Sequence, residues 1–435
     1  MAKKYEKYKS SGVEWIGEIP EHWEIRKLKY LAKTNPTKGS SKFTKFSKEW
    51  VSFLPMENIS VNGVVDYSLQ KNIKDVWDGF TFFAKGDIVI AKITPCFENG
   101  KGALLDGMPT EIGFGTTEFH VVRCSKELNR KLFYYISSTG YFRKQGVIHM
   151  TGSAGQQRVP LAFISSYEIP VIPLQEQQKI ASYLDKKSEE IDRFIKNKEN
   201  LISLLEEEKK ATITKAVTKG LDSNVRLKSS GADWLGEIPE HWETYRTKYL
   251  FSLIAKPSGR KHDLELLSIY TAIGVKPRQE LEEKGNKASS TDGYWLVKKR
   301  DFIVNKLLAW MGAIGLSEYD GVTSPAYDIL RKNRNLDEYF YNYLFRCGVL
   351  FEEIKKYSKG IMEMRLRLYF TEFGKIFLPY PSFEEQQAIV AYLDEETKKI
   401  DDLKAKYQQE IDLIKEYKER LIYDVVTGKM SVLEH

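Results

Sequence analysis

Cysteine is scarce. Cys96, Cys124 and Cys347 are the only three in 435 residues, and none belongs to a Cys-x-x-Cys pair. Such an odd, scattered set excludes a disulfide framework and a cysteine-based zinc site. Long apolar runs are also missing. The longest are short strand-like pieces such as Ile88-Val89-Ile90, far below the ~18 residues a membrane-crossing helix needs. Met1-Ala2-Lys3-Lys4-Tyr5 has no apolar segment behind its charges, so a signal peptide is not expected and a cytoplasmic location is. Pro-Pro never occurs, which removes the acidic-or-amide, Pro-Pro, aromatic signature of amino-methyltransferases. Gly-x-x-x-x-Gly-Lys-Ser/Thr is absent too; Asn99-Gly100-Lys101-Gly102 lacks the upstream glycine and the hydroxyl. Gly113-Phe114-Gly115 is too short for a cofactor loop and reads as a tight turn.

Titratable residues form no catalytic pattern. His22 and His241 recur between Pro and Trp, but no acid or nucleophile accompanies them at ligand spacing, so they read as packing residues. His120, His149, His262 and His435 follow no pattern. Glu206-Glu207-Glu208 reads as the solvated face of a helix. Asp87 and Lys92 resemble a nuclease strand superficially, yet a second metal ligand is missing, and Asp87 fits a turn after Gly86. No catalysis and no metal are expected in this chain.

What the chain does contain is itself, twice. Trp15-Ile16-Gly17-Glu18-Ile19-Pro20-Glu21-His22-Trp23-Glu24 returns as Trp234-Leu235-Gly236-Glu237-Ile238-Pro239-Glu240-His241-Trp242-Glu243. Downstream, Glu176-Gln177-Gln178, Ile180 and Tyr183-Leu184-Asp185 recur as Glu385-Gln386-Gln387, Ile389 and Tyr392-Leu393-Asp394. Matched segments thus enclose two stretches that share little, as one scaffold used twice to present two surfaces. At this length two domains are the natural division, and 42% hydrophobic residues supply ordinary cores.

Residues 175–219 carry Ile180, Leu184, Ile191, Phe194, Ile202 and Leu205 at threes, fours and sevens, without Pro or Gly until Gly220. Residues 384–427 do the same up to Gly428. Each predicts one helix about 65 Å long. Such stripes cannot stay exposed, so the two helices are expected to pack together, antiparallel, about a pseudo-twofold, with the Trp segments clamping each globular unit near the helix ends. The enclosed stretches read as mixed α/β. Strands are predicted around Asp87–Lys92, Phe119–Arg123, Asp301–Lys306 and Tyr327–Arg331, and helices around Leu132–Ile136 and Tyr339–Leu344.

The net charge is +7, and residues 1–174 carry 24 basic against 17 acidic side chains. Residues 381–435 carry 8 against 13. A polyanion would meet the enclosed stretches, not the tail. Reading DNA needs cations for phosphates and Arg, Lys, Asn or Gln for base edges. The loop around Lys38, Ser41, Lys42 and Lys45 is basic, small and interleaved with an aromatic. The loop with Gly152, Ser153, Gln156, Gln157 and Arg158 combines backbone freedom with base-reading side chains. Arg260 and Lys261 correspond to the first loop, Arg365 and Arg367 to the second, and Lys92 and Lys306 end equivalent strands.

At these residues the chain resembles the specificity subunit of type I restriction–modification systems, nearly end to end. The Trp-Ile/Leu-Gly-Glu-Ile-Pro-Glu-His-Trp segments are similar to the family's opening motif for each target-recognition domain. Pro173-Leu174-Gln175-Glu176-Gln177-Gln178 resembles the closing motif into the long helix; Pro381-Ser382-Phe383-Glu384-Glu385-Gln386 has one extra residue. Gly152 to Arg158 looks like the family's polar loop. The resemblance implies an α+β chain: two similar mixed α/β target-recognition domains (25–172 and 244–380), joined by two long antiparallel helices as a coiled coil (within 173–222 and 381–435), with opening segments at 1–24 and 223–243. It implies a non-catalytic subunit that binds double-stranded DNA at a bipartite target. Trp15, Pro20, Trp23, Glu176, Gln177, Trp234, Pro239, Trp242, Glu385 and Gln386 would serve structure or subunit docking. Two modification subunits, carrying S-adenosylmethionine and methylating adenine, would be partners, with restriction subunits using ATP and Mg²⁺ joining them. The alternative is a protein–protein adaptor with two binding modules on a coiled-coil arm; a third reading is an enzyme with an unrecognised site.

Overall fold

The computed structural model describes residues 4–153, 155–260, 263–271, 273–280, 291–360 and 366–433. Two compact units divide the chain, one of residues 1–197 and 409–435, the other of residues 198–408. The first long helix spans Leu174–Lys219 and the second Phe383–Val426, so each is shared between the units. Both stop at a glycine in the left-handed region, Gly220 at φ 74 and Gly428 at φ 76, a geometry that lets the last turn close on itself. At Gly428 the need is also steric, because an added Cβ would lie 2.4 Å from Pro20 Cδ.

The helices bury their stripes as the periodicity requires. In the first unit Ile180, Leu184 and Ile191 share a core with Leu421, Ile422 and Val425. In the second, Ala216 and Val217 join Ile389 and Leu393. Glu206 pairs with Lys404, and Lys209 with Asp401 at 2.6 Å. Advancing along one helix therefore retreats along the other, and the helices run antiparallel. Exposed pairs of this kind contribute about 0–1 kcal/mol. They mark the register, while the apolar stripes hold it. No helix among the described residues is long and apolar enough to cross a membrane.

Each unit contains the same four-stranded antiparallel sheet. In the first its order is Ala32–Thr34, Phe119–Cys124, Ile88–Ala91, Gly102–Leu104; in the second, Phe251–Ile254, Tyr327–Lys332, Phe302–Asn305, Ile314–Leu316. A helix follows the longest strand in both, Arg130–Ser138 and Glu338–Phe345. Asp87 is 2% exposed and meets Arg123 through both carboxylate oxygens at 2.7 Å. It also accepts the Ala84 N–H, at 2.7 Å. Asp301 repeats this with Arg331 and the Lys298 N–H. Asp87 is therefore a turn and ion-pair residue. Both units also pair the opening segment with itself and with the strand before the long helix, and they diverge in a further set of strands. The first builds a second four-stranded sheet, ordered Gln70–Asn72, Trp50–Leu54, Ile112–Gly115, Thr81–Ala84. Gly113-Phe114-Gly115 is a strand there, not the tight turn expected from sequence. Its glycines leave room for the Phe83 ring, which a Cβ on Gly113 would approach to 2.4 Å. In the second unit the matching region forms two-stranded pairs, Leu267–Tyr270 with Gly274–Pro277 and Trp295–Val297 with Gly321–Thr323.

The repeated Trp segments join each unit to a helix start and a helix end. Trp23 is fully buried and donates through Nε1 to Glu176 at 3.1 Å. Glu176 also accepts from Tyr5 Oη at 2.6 Å and faces His22 Nε2 at 2.9 Å. The acid that accompanies the repeated histidine is thus supplied by the fold rather than by local spacing, a correction to the sequence reading. His241 and Glu385 repeat it at 3.0 Å. Gln177 spends its whole amide inside the unit: Nε2 donates to the Ile172 and Glu127 carbonyls, and Oε1 accepts the Asn129 N–H. Gln386 donates to Pro381 O and accepts from Asp337 N, so the extra residue before it leaves this geometry intact. Trp15 is nearly buried and stacks on Tyr167, Trp234 donates to Phe377 O at 3.1 Å, and Pro20 and Pro239 are buried.

The two clamps are unequal. Trp242 is as buried as Trp23, yet its Nε1 has no hydrogen-bond partner among the described residues. Asn224 holds the place that Tyr5 holds in the first copy. Leaving a buried donor unmade costs about 1–3 kcal/mol. Trp23→Phe is therefore expected to destabilise the protein by about 1–2 kcal/mol more than Trp242→Phe, the loss of ring volume being common to both. Urea unfolding of the two variants checks this, and equal losses would contradict it.

Candidate nucleic-acid interface

In the first unit the Ile88–Ala91 strand ends at Lys92, and the polar loop is fastened there by main chain. Val159 N donates to Lys92 O at 2.8 Å, and Thr94 N to Gln157 O at 2.9 Å. Thr151 and Arg158 exchange both hydrogen bonds, at 3.0 and 2.8 Å, closing the loop as a hairpin. Gly152 sits at φ 121, and an added Cβ would meet Gln156 O at 2.9 Å, so glycine is required. Ser153 and Gln156 are exposed at the tip, and Gln157 and Arg158 are half-buried. Arg158 is not free to roam. Its Nε and Nη2 each reach Glu118 at 2.9 Å, and this partner holds the Glu118 carboxyl below its ordinary range. Lys92, Arg158 and Glu118 together leave one excess positive charge at this edge.

The Lys38–Lys45 loop lies elsewhere. Lys42 pairs with Glu111 at 2.8 Å and Lys45 with Asp78 at 2.6 Å. Lys38 donates to the Trp77 carbonyl and lies over the Trp77 ring. Ser41 Oγ accepts the Phe43 N–H. Glu111 precedes the Ile112–Gly115 strand and Glu118 follows it. About 13 Å of strand therefore separates the two loops, which sit at opposite ends. Sequence placed both among the DNA-facing residues; the fold brings together only Lys92 and Gly152–Arg158.

The second unit repeats the fastening with other chemistry. Leu368 N donates to Lys306 O at 2.8 Å, and Arg367 and Lys359 exchange both hydrogen bonds at 2.9 Å. Arg367 and Arg260 are exposed; Lys261 and Arg365 lie outside the described residues. Lys306 is mostly buried and meets Asp328 and the Pro325 carbonyl, each at 3.1 Å. Strand register explains the difference. Asp328 faces Val304 as His120 faces Ile90. One unit thus sets a carboxylate beside its lysine where the other sets an imidazole. Glu118, His120 and Asp328 decide the electrostatics of both edges, and sequence reading missed all three as partners. The register of the strand repeat was the signal that could have found them.

Comparison with known proteins agrees with this duplication. Residues 20–204 and 239–413 each match the family described as the type I restriction modification DNA specificity domain. The chain belongs to that family. Among curated specificity subunits of type I restriction enzymes, it is 45% identical to that of EcoAI from Escherichia coli over 166 residues, covering 38% of this chain and 27% of that protein. It is 41% identical to that of EcoEI, from the same organism, over 172 residues, 39% and 28% of the two chains. The matched stretch thus spans about a quarter of each of these relatives. A putative MjaX specificity subunit from Methanocaldococcus jannaschii is 25% identical over 433 residues, 96% of both chains. Two solved structures share the fold. One, from work on complex assembly and conformational transition of the type I R-M system, has a TM-score of 0.73 at 16% identity and covers 95% of this chain and 99% of that one. The HsdS subunit from Thermoanaerobacter tengcongensis has a TM-score of 0.55 at 15% identity, covering 95% and 98%.

In this specificity-domain chain His120 supports the first unit's edge from beneath. It is 5% exposed and donates through Nε2 to Val159 O at 2.8 Å. Burial pushes its pKa below the ordinary 6.5, and Lys92 adds to the push. The unfolded chain takes up a proton near pH 6.5 that the folded imidazole refuses until lower pH. The resulting stabilisation is present above about 6.5 and lost as pH falls through the folded value. His120→Gln is therefore expected to flatten the fall in stability between about pH 7 and about pH 5, measured by urea unfolding. A slope identical to wild type would refute it.

Proposed function

We propose that this chain is the DNA-reading subunit of a type I restriction–modification complex. Each unit reads one half of a split sequence in double-stranded DNA, and the paired helices set the spacing between halves. Catalysis belongs to partners: two modification subunits that bind S-adenosylmethionine and methylate adenine, and restriction subunits that use ATP and Mg²⁺. The complex acts in the cytoplasm. The observation that carries the reading is the duplicated edge, where a strand ends in a lysine and a hairpin loop is hydrogen-bonded onto it, once in each family match. The excess positive charge of residues 1–174 supports a polyanionic partner there.

The two lysines separate the reading from a generic basic surface. Lys92 faces a neutral histidine and is available to a phosphate, whereas Lys306 is already compensated by Asp328. In the complex assembled with its modification subunits, Lys92→Ala is expected to weaken binding and to lower the slope of log affinity against log salt by about one. Lys306→Ala is expected to leave the slope unchanged. Equal salt slopes for wild type and both variants would remove Lys92 from the interface. Exchanging residues 25–172 for those of a relative should change only one half of the methylated sequence, read by mapping methyladenine. A change in both halves would contradict independent reading.

A further inference from the structure

The edge of the second unit has one more difference from the first. After Lys92 the first unit's chain exposes Pro95, Glu98 and Asn99 and buries Phe97. After Lys306 the second unit exposes Leu307 and Leu308, each 41%, and Met311, 49%. These three are held by a built turn. Leu307 N donates to Asn305 Oδ1 at 3.0 Å and Trp310 Nε1 to Leu307 O at 3.1 Å. Met311 N and Ala313 N both donate to Leu308 O, at 2.9 and 3.1 Å. Ala309 beneath is fully buried. A rigid turn that displays three apolar side chains is costly in water, and flexibility does not explain it. Two of the neighbouring cations are compensated, Lys306 by Asp328 and Lys359 by Glu372 at 2.9 Å, and Arg367 is the exposed cation beside them. Lys355 lies over the Trp310 ring.

Resting on the proposed function, we infer that Leu307, Leu308 and Met311 read the second half-site by apolar contact with the 5-methyl groups of thymine. The hydrogen bond from Leu368 N to Lys306 O, matching that from Val159 N to Lys92 O, puts this turn at the same edge as the first unit's polar loop. An apolar tip there has a single complementary feature on a base edge in the major groove, the thymine methyl. Phosphates would be met by exposed cations, and these three positions offer none. The first unit reads by charge and hydrogen bonding, the second by shape and methyl contact.

The test uses the complex assembled with its modification subunits and the duplex it methylates. The half-site read by residues 244–380 is identified by domain exchange. Each thymine in that half-site is then replaced by deoxyuridine, which removes only the methyl group. Affinity is expected to fall about fourfold for each contacted methyl, the effect of losing one buried carbon. Leu307→Ser, Leu308→Ser and Met311→Ser, made singly, should each bind thymine duplex more weakly. At least one should no longer distinguish thymine from uracil. All three side chains are exposed, so a variant that misfolds is replaced by the other two. Wild-type binding indifferent to every replacement would overturn the inference while leaving sequence-specific DNA reading intact. A wild-type complex that methylates and binds without sequence preference would overturn the underlying function as well.

Discussion

Burial of one apolar helical stripe against another is the interaction on which this molecule depends. Two helices of 46 and 44 residues would be marginal and sticky alone. Packed antiparallel, each supplies the wall on which a unit is founded: Ile180 and Leu184 meet Leu421 and Val425 in one core, Val217 meets Ile389 and Leu393 in the other. Each core continues from the helices through a buried tryptophan, Trp23 or Trp242, into the scaffold sheet. The stripe, the clamp and the sheet are thus one continuous apolar body in each unit.

The polar groups of the helix starts and sheet turns enter that body with several partners each. Glu176 accepts from a phenol and an indole and faces an imidazole, and Gln177 satisfies both ends of its amide. Asp87 and Asp301 each meet an arginine edge-on. Such groups are expensive to bury unless every partner is present. This explains why Glu176-Gln177 recurs as Glu385-Gln386: these side chains face inward onto their own unit. The second copy tolerates an orphaned indole donor at Trp242, so the duplication is one of architecture more than of strength.

The two lysine-bearing edges follow the same logic with opposite results. Backbone hydrogen bonds place Lys92 and Lys306 identically, and the residue opposite in the sheet sets the state of each. An imidazole kept neutral by burial leaves one lysine available, and a carboxylate neutralises the other. A single position in a strand register therefore decides whether the edge lysine is compensated, without altering the scaffold beneath it.

By itself the sequence determined the periodic elements. Uninterrupted threes and fours from Ile180 to Leu205, ended by Gly220, can only be a long helix with a buried face. The recurrence of Trp-x-Gly-Glu-Ile-Pro-Glu-His-Trp required two like units. Strand identity at Ile88–Ala91 and Phe302–Asn305 was equally legible, since their apolar content is local. What only the tertiary structure decided are the pairings between residues far apart in the chain: His22 with Glu176, Arg158 with Glu118, Lys306 with Asp328. The same holds for Gly113, whose strand conformation depends on a phenylalanine thirty residues upstream. It also decided that the Lys38–Lys45 loop and the Gly152–Arg158 loop stand at opposite ends of one strand. Local periodicity sets an element's own face, but which charges meet is fixed by sheet register and hairpin closure, and these arise only when distant segments are folded onto one another.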